Sequence, residues 1–174
     1  MILSATGHRM DKLGGSTIAA QNHVTSFALL MLRTIREETP IEYVISGMAP
    51  GWDYAFAVAA KTIEIPFVAA VPFREQYHGY PEVLRPSYHA LLAEAQRIER
   101  MPIGVSSSHA RLYQLRNEWM VNNSDMIVAL YNGHSRGGTK NCIEYARKVG
   151  RPICYVWKRW LDFNGEKGEF LSCQ

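Results

Sequence analysis

Short apolar runs over residues 2–5, 42–45, 66–71, 125–131 and 152–156 alternate with longer stretches whose apolar residues recur at helical steps. This alternation constrains the fold more than any other feature of the chain. The longest such stretch, 17–38, places Ala20, Val24, Phe27, Met31 and Ile35 three or four residues apart, giving one helix with one buried face. Pro40 follows as a stop signal. Further helices are expected over 52–63, 87–96, 111–122 and 139–149, with a weak strand over 97–101. Continuously apolar strands need cover on both faces, and interleaved helices supply it. The expected class is therefore α/β: a Rossmann-like three-layer fold, a mostly parallel sheet with helices on both faces. Residues 74–86, 104–108 and 132–138 read as loops. At 174 residues one domain accounts for the chain, with a core over about 1–157 and a polar C-terminal tail over 158–174.

Composition narrows the function classes. A net charge of +3 is too small to argue for nucleic acid by bulk electrostatics, and no Lys/Arg run of five occurs. Trp157-Lys158-Arg159-Trp160 is the nearest basic-aromatic segment and reads as an aromatic pair capping a strand, so a nucleic-acid partner is not expected. Cys142, Cys154 and Cys173 form no CxxC pair, which reads as reduced thiols and a cytoplasmic location. The opening residues 1–6 are too short and uncharged for a signal peptide, and no apolar run is long enough for a membrane span. The six histidines are scattered without a metal-ligand spacing, so no metal is expected.

Parallel α/β sheets bind ligands at the carboxyl ends of their strands. Three strand ends here carry unusual loops: Thr6-Gly7-His8-Arg9, Ser46-Gly47-Met48, and the segment from Asn132 and Gly133 to Gly137-Gly138-Thr139. If the sheet is parallel, all three open on one edge. Arg136-Gly137-Gly138-Thr139 stands before a helix, where glycine amides and the helix dipole favour an anion. It reads equally as a glycine turn with a Thr N-cap. Gly47 permits close backbone approach before a second helix, and Asp53 is either a ribose acceptor or a first-turn carboxylate favoured by the dipole. Arg9 suits a phosphate clamp or a surface ion pair; His8 reads as a donor, a base or a structural histidine. Arg116 and Met120 share a helix face, whereas Asn117 points about 100° from Arg116 and need not serve the same ligand. Trp119 and Cys142 read as packing residues.

These segments together resemble the YpsA-like branch of the SMF/DprA–LOG (SLOG) superfamily, nearest to its small bacterial and phage members. The matching residues are Thr6-Gly7-His8-Arg9 with Leu13-Gly14-Gly15; Ser46-Gly47-Met48 with Asp53; Val71-Pro72-Phe73 with Gln76, Pro81 and Tyr88; Arg116 to Met120 with Ser124-Asp125; and Gly137 to Cys142 with Tyr145-Ala146. The resemblance spans about residues 5–156. It implies strand-end loops that bind nucleotides or nucleotide-derived signals, and possible pairing of copies as a homo-oligomer. Its LOG-type phosphoribohydrolases carry an Arg-Lys-x-x-Met helix, matched by Arg116 and Met120, and a Gly-Gly-x-Gly-Thr-x-Glu-Glu loop. Here Asn141 and Cys142 stand where that loop has its carboxylates, and Glu144 lies beyond them. An amide cannot take the proton a carboxylate takes, which puts hydrolysis in doubt and leaves phosphate binding intact. Asn132 replaces a frequent Asp, and Tyr80 a frequent Trp.

The sequence reading is a nucleotide-binding module, a sensor, sponge or adaptor for a nucleotide or an ADP-ribose-like signal, requiring no cofactor. Gly7, His8, Arg9, Ser46, Gly47, Met48, Asp53, Pro72, Arg116, Asn117, Met120, Asn132, Gly133, Gly137, Gly138 and Thr139 are the expected binding residues. The alternative is an N-glycosidase acting on a nucleotide, with Arg116 orienting phosphate and Asp53 or Glu144 as the carboxylate. A weaker alternative is DprA-like binding of single-stranded DNA.

Overall fold

The computed structural model describes residues 1–102, 108–134 and 136–165. Among them, β1 (Ile2–Gly7), β2 (Tyr43–Ser46), β3 (Phe67–Val71), β4 (Arg97–Arg100), β5 (Met126–Leu130) and β6 (Ile153–Tyr155) form one sheet in the order β4-β3-β2-β1-β5-β6. Every pairing is parallel. The helices are α1 (Ile18–Glu38), α2 (Trp52–Thr62), α3 (Arg85–Ala93), α4 (His109–Asn122), α5 (Gly138–Lys148) and α6 (Trp157–Phe163).

Alternate residues of each central strand supply the two cores, as a period of two requires. Leu3, Ala5, Val44, Ala69, Val128 and Leu130 pack under α1, α2 and α6. On the opposite face Ile127 and Ala129 meet Cys142, Ile143 and Ala146 of α5, while Ile45, Val68 and Ala70 meet Met120 of α4. Edge strands β4 and β6 carry no fully buried residue, consistent with cover on fewer sides. Trp52 is the largest fully buried side chain, and its indole N–H donates to Val128 O at 3.1 Å, so burial leaves no unmet donor. Full burial of a side chain of this kind contributes roughly 1.5–3 kcal/mol.

Local chemistry sets the helix ends. Thr17 caps α1 by accepting from Ala20 N, and Ser108 caps α4 by accepting from Arg111 N. The expected 17–38 helix starts one residue later because Thr17 is its cap. β1 runs two residues beyond the expected 2–5, so Thr6 and Gly7 belong to the strand. The expected 74–86 loop is instead two 3₁₀ turns, Arg74–Gly79 and Glu82–Leu84, running into α3. Pro86 sits in the first turn of α3, where its missing N–H has no partner to lose. The expected 104–108 loop lies, apart from Ser108, outside the described residues.

The polar tail expected over 158–174 is corrected over 158–163 by α6, and residues 166–174 lie outside the described residues. Trp157, Trp160 and Leu161 recur at helical spacing, and Trp160 is buried against Phe27 of α1 at 5.3 Å between ring centroids. Lys158 and Arg159 are exposed on the other face. No helix among the described residues is long and apolar enough to cross a membrane.

The strand order also contains a switch point. The chain lays β1 to β4 outward in one direction, then returns to place β5 on the other side of β1. At such a switch point the connections leave the sheet in opposite directions and open a crevice beyond the strand ends.

Candidate functional site

A cleft of about 420 Å³ lies at the carboxyl edge, beyond the ends of β1 and β5. Four separate segments wall it: the end of β1 with the turn after it, Ala49 with the first turn of α2, one face of α4, and the start of α5. The three loops singled out in the sequence do share one edge, but they do not contribute equally.

The α5 start reaches the cleft directly. Arg136, Gly137, Gly138 and Thr139 line it. Gly137 is the N-cap, with φ 117°, and has no side chain to cap the first turn of α5. The Thr139 hydroxyl neither caps the helix nor stands free as a donor: it donates to Gly7 O at 2.7 Å. Asn117 Nδ2 donates to Gly138 O at 3.1 Å. Two side-chain bonds thus tie the start of α5 to β1 and to α4.

Arg116 and Asp53 form the buried charge of the cleft. Arg116 Nη1 lies 3.5 Å from Asp53 Oδ2, with side chains 7% and 8% exposed, so solvent screens the pair little. The same Nη1 donates to Gly47 O. Arg116 Nε is buried and has no hydrogen-bond partner among the described residues. Burial pushes the Asp53 carboxyl up to about 6, against the pull of the Arg116 and Arg9 guanidiniums. Asn117 and Arg116 both line the cleft, although they are neighbours about 100° apart around α4.

The Ser46-Gly47-Met48 turn supports this pair from below and does not line the cleft. Ser46 Oγ donates to Asp53 O at 2.7 Å and accepts from Met48 N at 3.0 Å. Gln76 Nε2 donates to Gly47 O and Met48 O, and the Tyr80 hydroxyl donates to Met48 O at 2.9 Å. Met48 is fully buried with φ 51°, a left-handed conformation that a non-glycine residue holds only when its surroundings fix it. Gly47 has to be glycine: a Cβ there would overlap the Arg116 guanidinium and come within 2.6 Å of Asp53 Oδ2.

The remaining expected residues divide in the same way. Gly7, His8 and Arg9 line the cleft, with Arg9 exposed. His8 is buried and its Nε2 accepts from Asn132 N at 3.0 Å, so that nitrogen carries no proton. Burial, then Lys12, holds its pKa below the ordinary value. Its ring packs against Tyr131 at 5.5 Å and Trp157 at 5.3 Å between centroids. Asn132 makes a local turn instead of lining the cleft, its Oδ1 accepting from His134 N. Gly133 is exposed outside the cleft, while Pro72 and Met120 are buried away from it, Met120 in the α4 core. Glu144 is exposed, pairs with Lys140 one turn earlier at 3.5 Å, and does not line the cleft. Burial pushes the Cys142 thiol up to about 11, an inert packing residue. Trp119 is half-buried and packs on the α4 side of the sheet.

Sequence reasoning missed Asp11 and Lys12 in the turn after β1, and Ala110, Tyr113 and Gln114 on α4. The α4 residues carried a signal, since they precede Asn117 by seven, four and three positions and share its face.

No family model matches the chain. It is 34% identical over 139 residues to the uncharacterized SPbeta prophage-derived protein YoqJ of Bacillus subtilis strain 168, covering 70% of this chain and 78% of that one. It is 25% identical over 158 residues to a UPF0398 protein of Bacillus thuringiensis strain Al Hakam, covering 86% and 84%. Among solved structures, it matches DNA processing protein A (DprA) from Streptococcus pneumoniae at TM-score 0.57 and 15% identity, covering 88% of this chain and 49% of that one. DprA from Helicobacter pylori, a structure that describes a single-stranded DNA binding mode, matches at 0.59 and 16%, covering 89% and 64%. The protein TM1055 matches at 0.56 and 17%, covering 87% and 71%. The chain therefore spans about half the length of the pneumococcal DprA, and at these identities the structures establish the shared Rossmann-like fold alone. The sequence relationship goes further: the chain belongs to the family of the prophage-derived protein YoqJ, and its UPF0398 homologues and its fold fit the SLOG superfamily.

Proposed function

We propose that this chain, as a YpsA-like member of that superfamily, is a binding module for a phosphate-bearing nucleotide or nucleotide-derived signal. The observation that carries this reading is the cleft at the switch point. There the glycine start of α5 and the guanidinium of Arg116 line one space, with Arg9 and Arg136 beside them. Backbone amides at a helix start, together with arginine, form the recurrent chemistry of phosphate recognition. The buried Asp53 is the ribose acceptor in this reading, its charge balanced by Arg116.

A panel of nucleoside mono- and diphosphates, cyclic nucleotides and ADP-ribose tests it by thermal shift. A ligand at 100 times its Kd adds about 2.7 kcal/mol, or roughly 5–10 °C in Tm for a domain of this size. A flat panel at millimolar ligand overturns the reading. A (dT)ₙ oligonucleotide belongs in the panel, because the H. pylori DprA structure makes single-stranded DNA a competing ligand. Stabilisation by the oligonucleotide alone favours that alternative.

One observation supports a second reading, the N-glycosidase. Asp53 lies in the cleft with its carboxyl pushed up to about 6, within the range where a carboxyl exchanges protons near neutrality. Incubation with AMP, GMP, CMP and UMP, read by chromatography, separates the two. The module reading expects no base release above background; many turnovers, abolished by Asp53→Asn, establish the enzyme instead.

A further inference from the structure

The cleft face of α4 is a single stripe of unusual composition. Ala110, Tyr113, Gln114 and Asn117 follow one another at spacings of three, one and three residues, the pattern that aligns side chains along one side of a helix. On most helices such a stripe is aliphatic and faces a core. Here the last turn of the same stripe is aliphatic, with Met120 and Val121 buried, while its first two turns, from Ala110 to Asn117, face the cleft. Its one large side chain is the aromatic ring of Tyr113.

Tyr113 is only half-buried, and its ring is fixed. Phe73 meets it edge to face at 5.3 Å, and Phe73 is itself stacked on His109 at 4.2 Å and 13°. The Arg116 guanidinium lies 5.8 Å from the Tyr113 centroid. At the other end of the stripe Asn117 is bonded to Gly138 at the start of α5, the place of the phosphate in the reading above. Tyr113 lies four residues before Asn117, about 6 Å along the helix axis, a step on the scale of one ribose.

From this arrangement we infer that the cleft binds its nucleotide with the base stacked on Tyr113, the phosphate at the start of α5, and the ribose between them beside Arg116 and Asp53. The inference rests on the nucleotide reading and adds the site and the manner of base recognition. Stacking on an aromatic face accepts every base, since each has a π-face, and is worth about 5- to 150-fold in affinity. Ala110, one turn before Tyr113, leaves room for a bicyclic or a monocyclic base. The site therefore demands a base and discriminates weakly among bases.

The test uses the full chain and titration calorimetry with AMP, GMP, CMP, UMP and ribose 5-phosphate. In the wild type the four monophosphates bind with similar affinity, each about 5- to 150-fold tighter than ribose 5-phosphate. Tyr113→Leu lowers nucleotide affinity by that same factor and leaves ribose 5-phosphate unchanged, while Tyr113→Phe retains nucleotide binding. If the monophosphates bind no tighter than ribose 5-phosphate, the inference is overturned without recourse to any variant. If they bind tighter but Tyr113→Leu binds them as the wild type does, the base lies elsewhere and only the nucleotide reading stands. If neither the monophosphates nor ribose 5-phosphate binds the wild type, the nucleotide reading falls and this inference with it.

Discussion

Replacing Arg116 by Met tests whether the cleft is built around a buried charge pair. The substitution keeps most of the side-chain volume, and Gly47 O keeps a donor in Gln76 Nε2 at 2.8 Å. Two losses remain. The first is the charge-assisted contact itself, about 1.5–3 kcal/mol at any pH. The second depends on pH through Asp53, whose carboxyl rises from 3.8 to about 6 on burial with Arg116 present. A carboxyl raised in the folded state holds its proton more tightly there, so stability falls as pH climbs from 3.8 and levels off above the folded value. Without Arg116 the folded value moves higher, and the fall continues beyond 6. Each pH unit is worth about 1.4 kcal/mol. The extra loss in Arg116→Met is therefore near zero at pH 5 and reaches at most about 2.7 kcal/mol at pH 8, where Asp53 stays protonated. Urea unfolding of the wild type, Arg116→Met, Asp53→Asn and the double variant at both pH values reads this directly. In the double variant the pH-dependent part disappears, because no carboxyl is left to strand. An Arg116→Met deficit identical at pH 5 and pH 8 refutes the pairing.

Gly7→Ala places a Cβ 2.6 Å from Trp52, whose indole is anchored on Val128, so we expect about 1–3 kcal/mol of destabilisation by urea unfolding. Trp160→Ala empties an aromatic contact between α6 and α1; a loss of about 3–5 kcal/mol in the same assay is expected, and a loss under about 1 kcal/mol shows that α6 is not part of the core.

The sheet and its helices were legible because period-two and helical patterns register burial directly. The apolar face of α1 was read residue by residue from Val24 to Ile35, and the polar edge strand β4 was legible as the weak one. α6 was missed because Lys158 and Arg159 interrupt its aromatics, although Trp157, Trp160 and Leu161 keep helical spacing. Site residues were legible where a loop's own chemistry decides, as at Gly137 and Gly138. They were not legible where the decision is tertiary. Met48 looks like a ligand contact in sequence, yet three side chains, from Ser46, Gln76 and Tyr80, converge to hold its backbone in the interior. Glu144 looks like a displaced catalytic carboxylate, yet its place on α5 turns it toward Lys140.

The two bonds that hold the start of α5, Thr139 to Gly7 and Asn117 to Gly138, have a thermodynamic consequence. Amides already clamped to a strand and a neighbouring helix do not have to be ordered by an incoming anion. Their conformational entropy is surrendered when the protein folds, so association is charged only for the ligand's own freedom and for displaced water. In the proposed function, a preorganised cradle of this kind would take its anion without a closing step. Thr139→Val, which removes the hydroxyl tie and keeps the branched shape, transfers that ordering cost to the binding event, where it appears as a less favourable entropy.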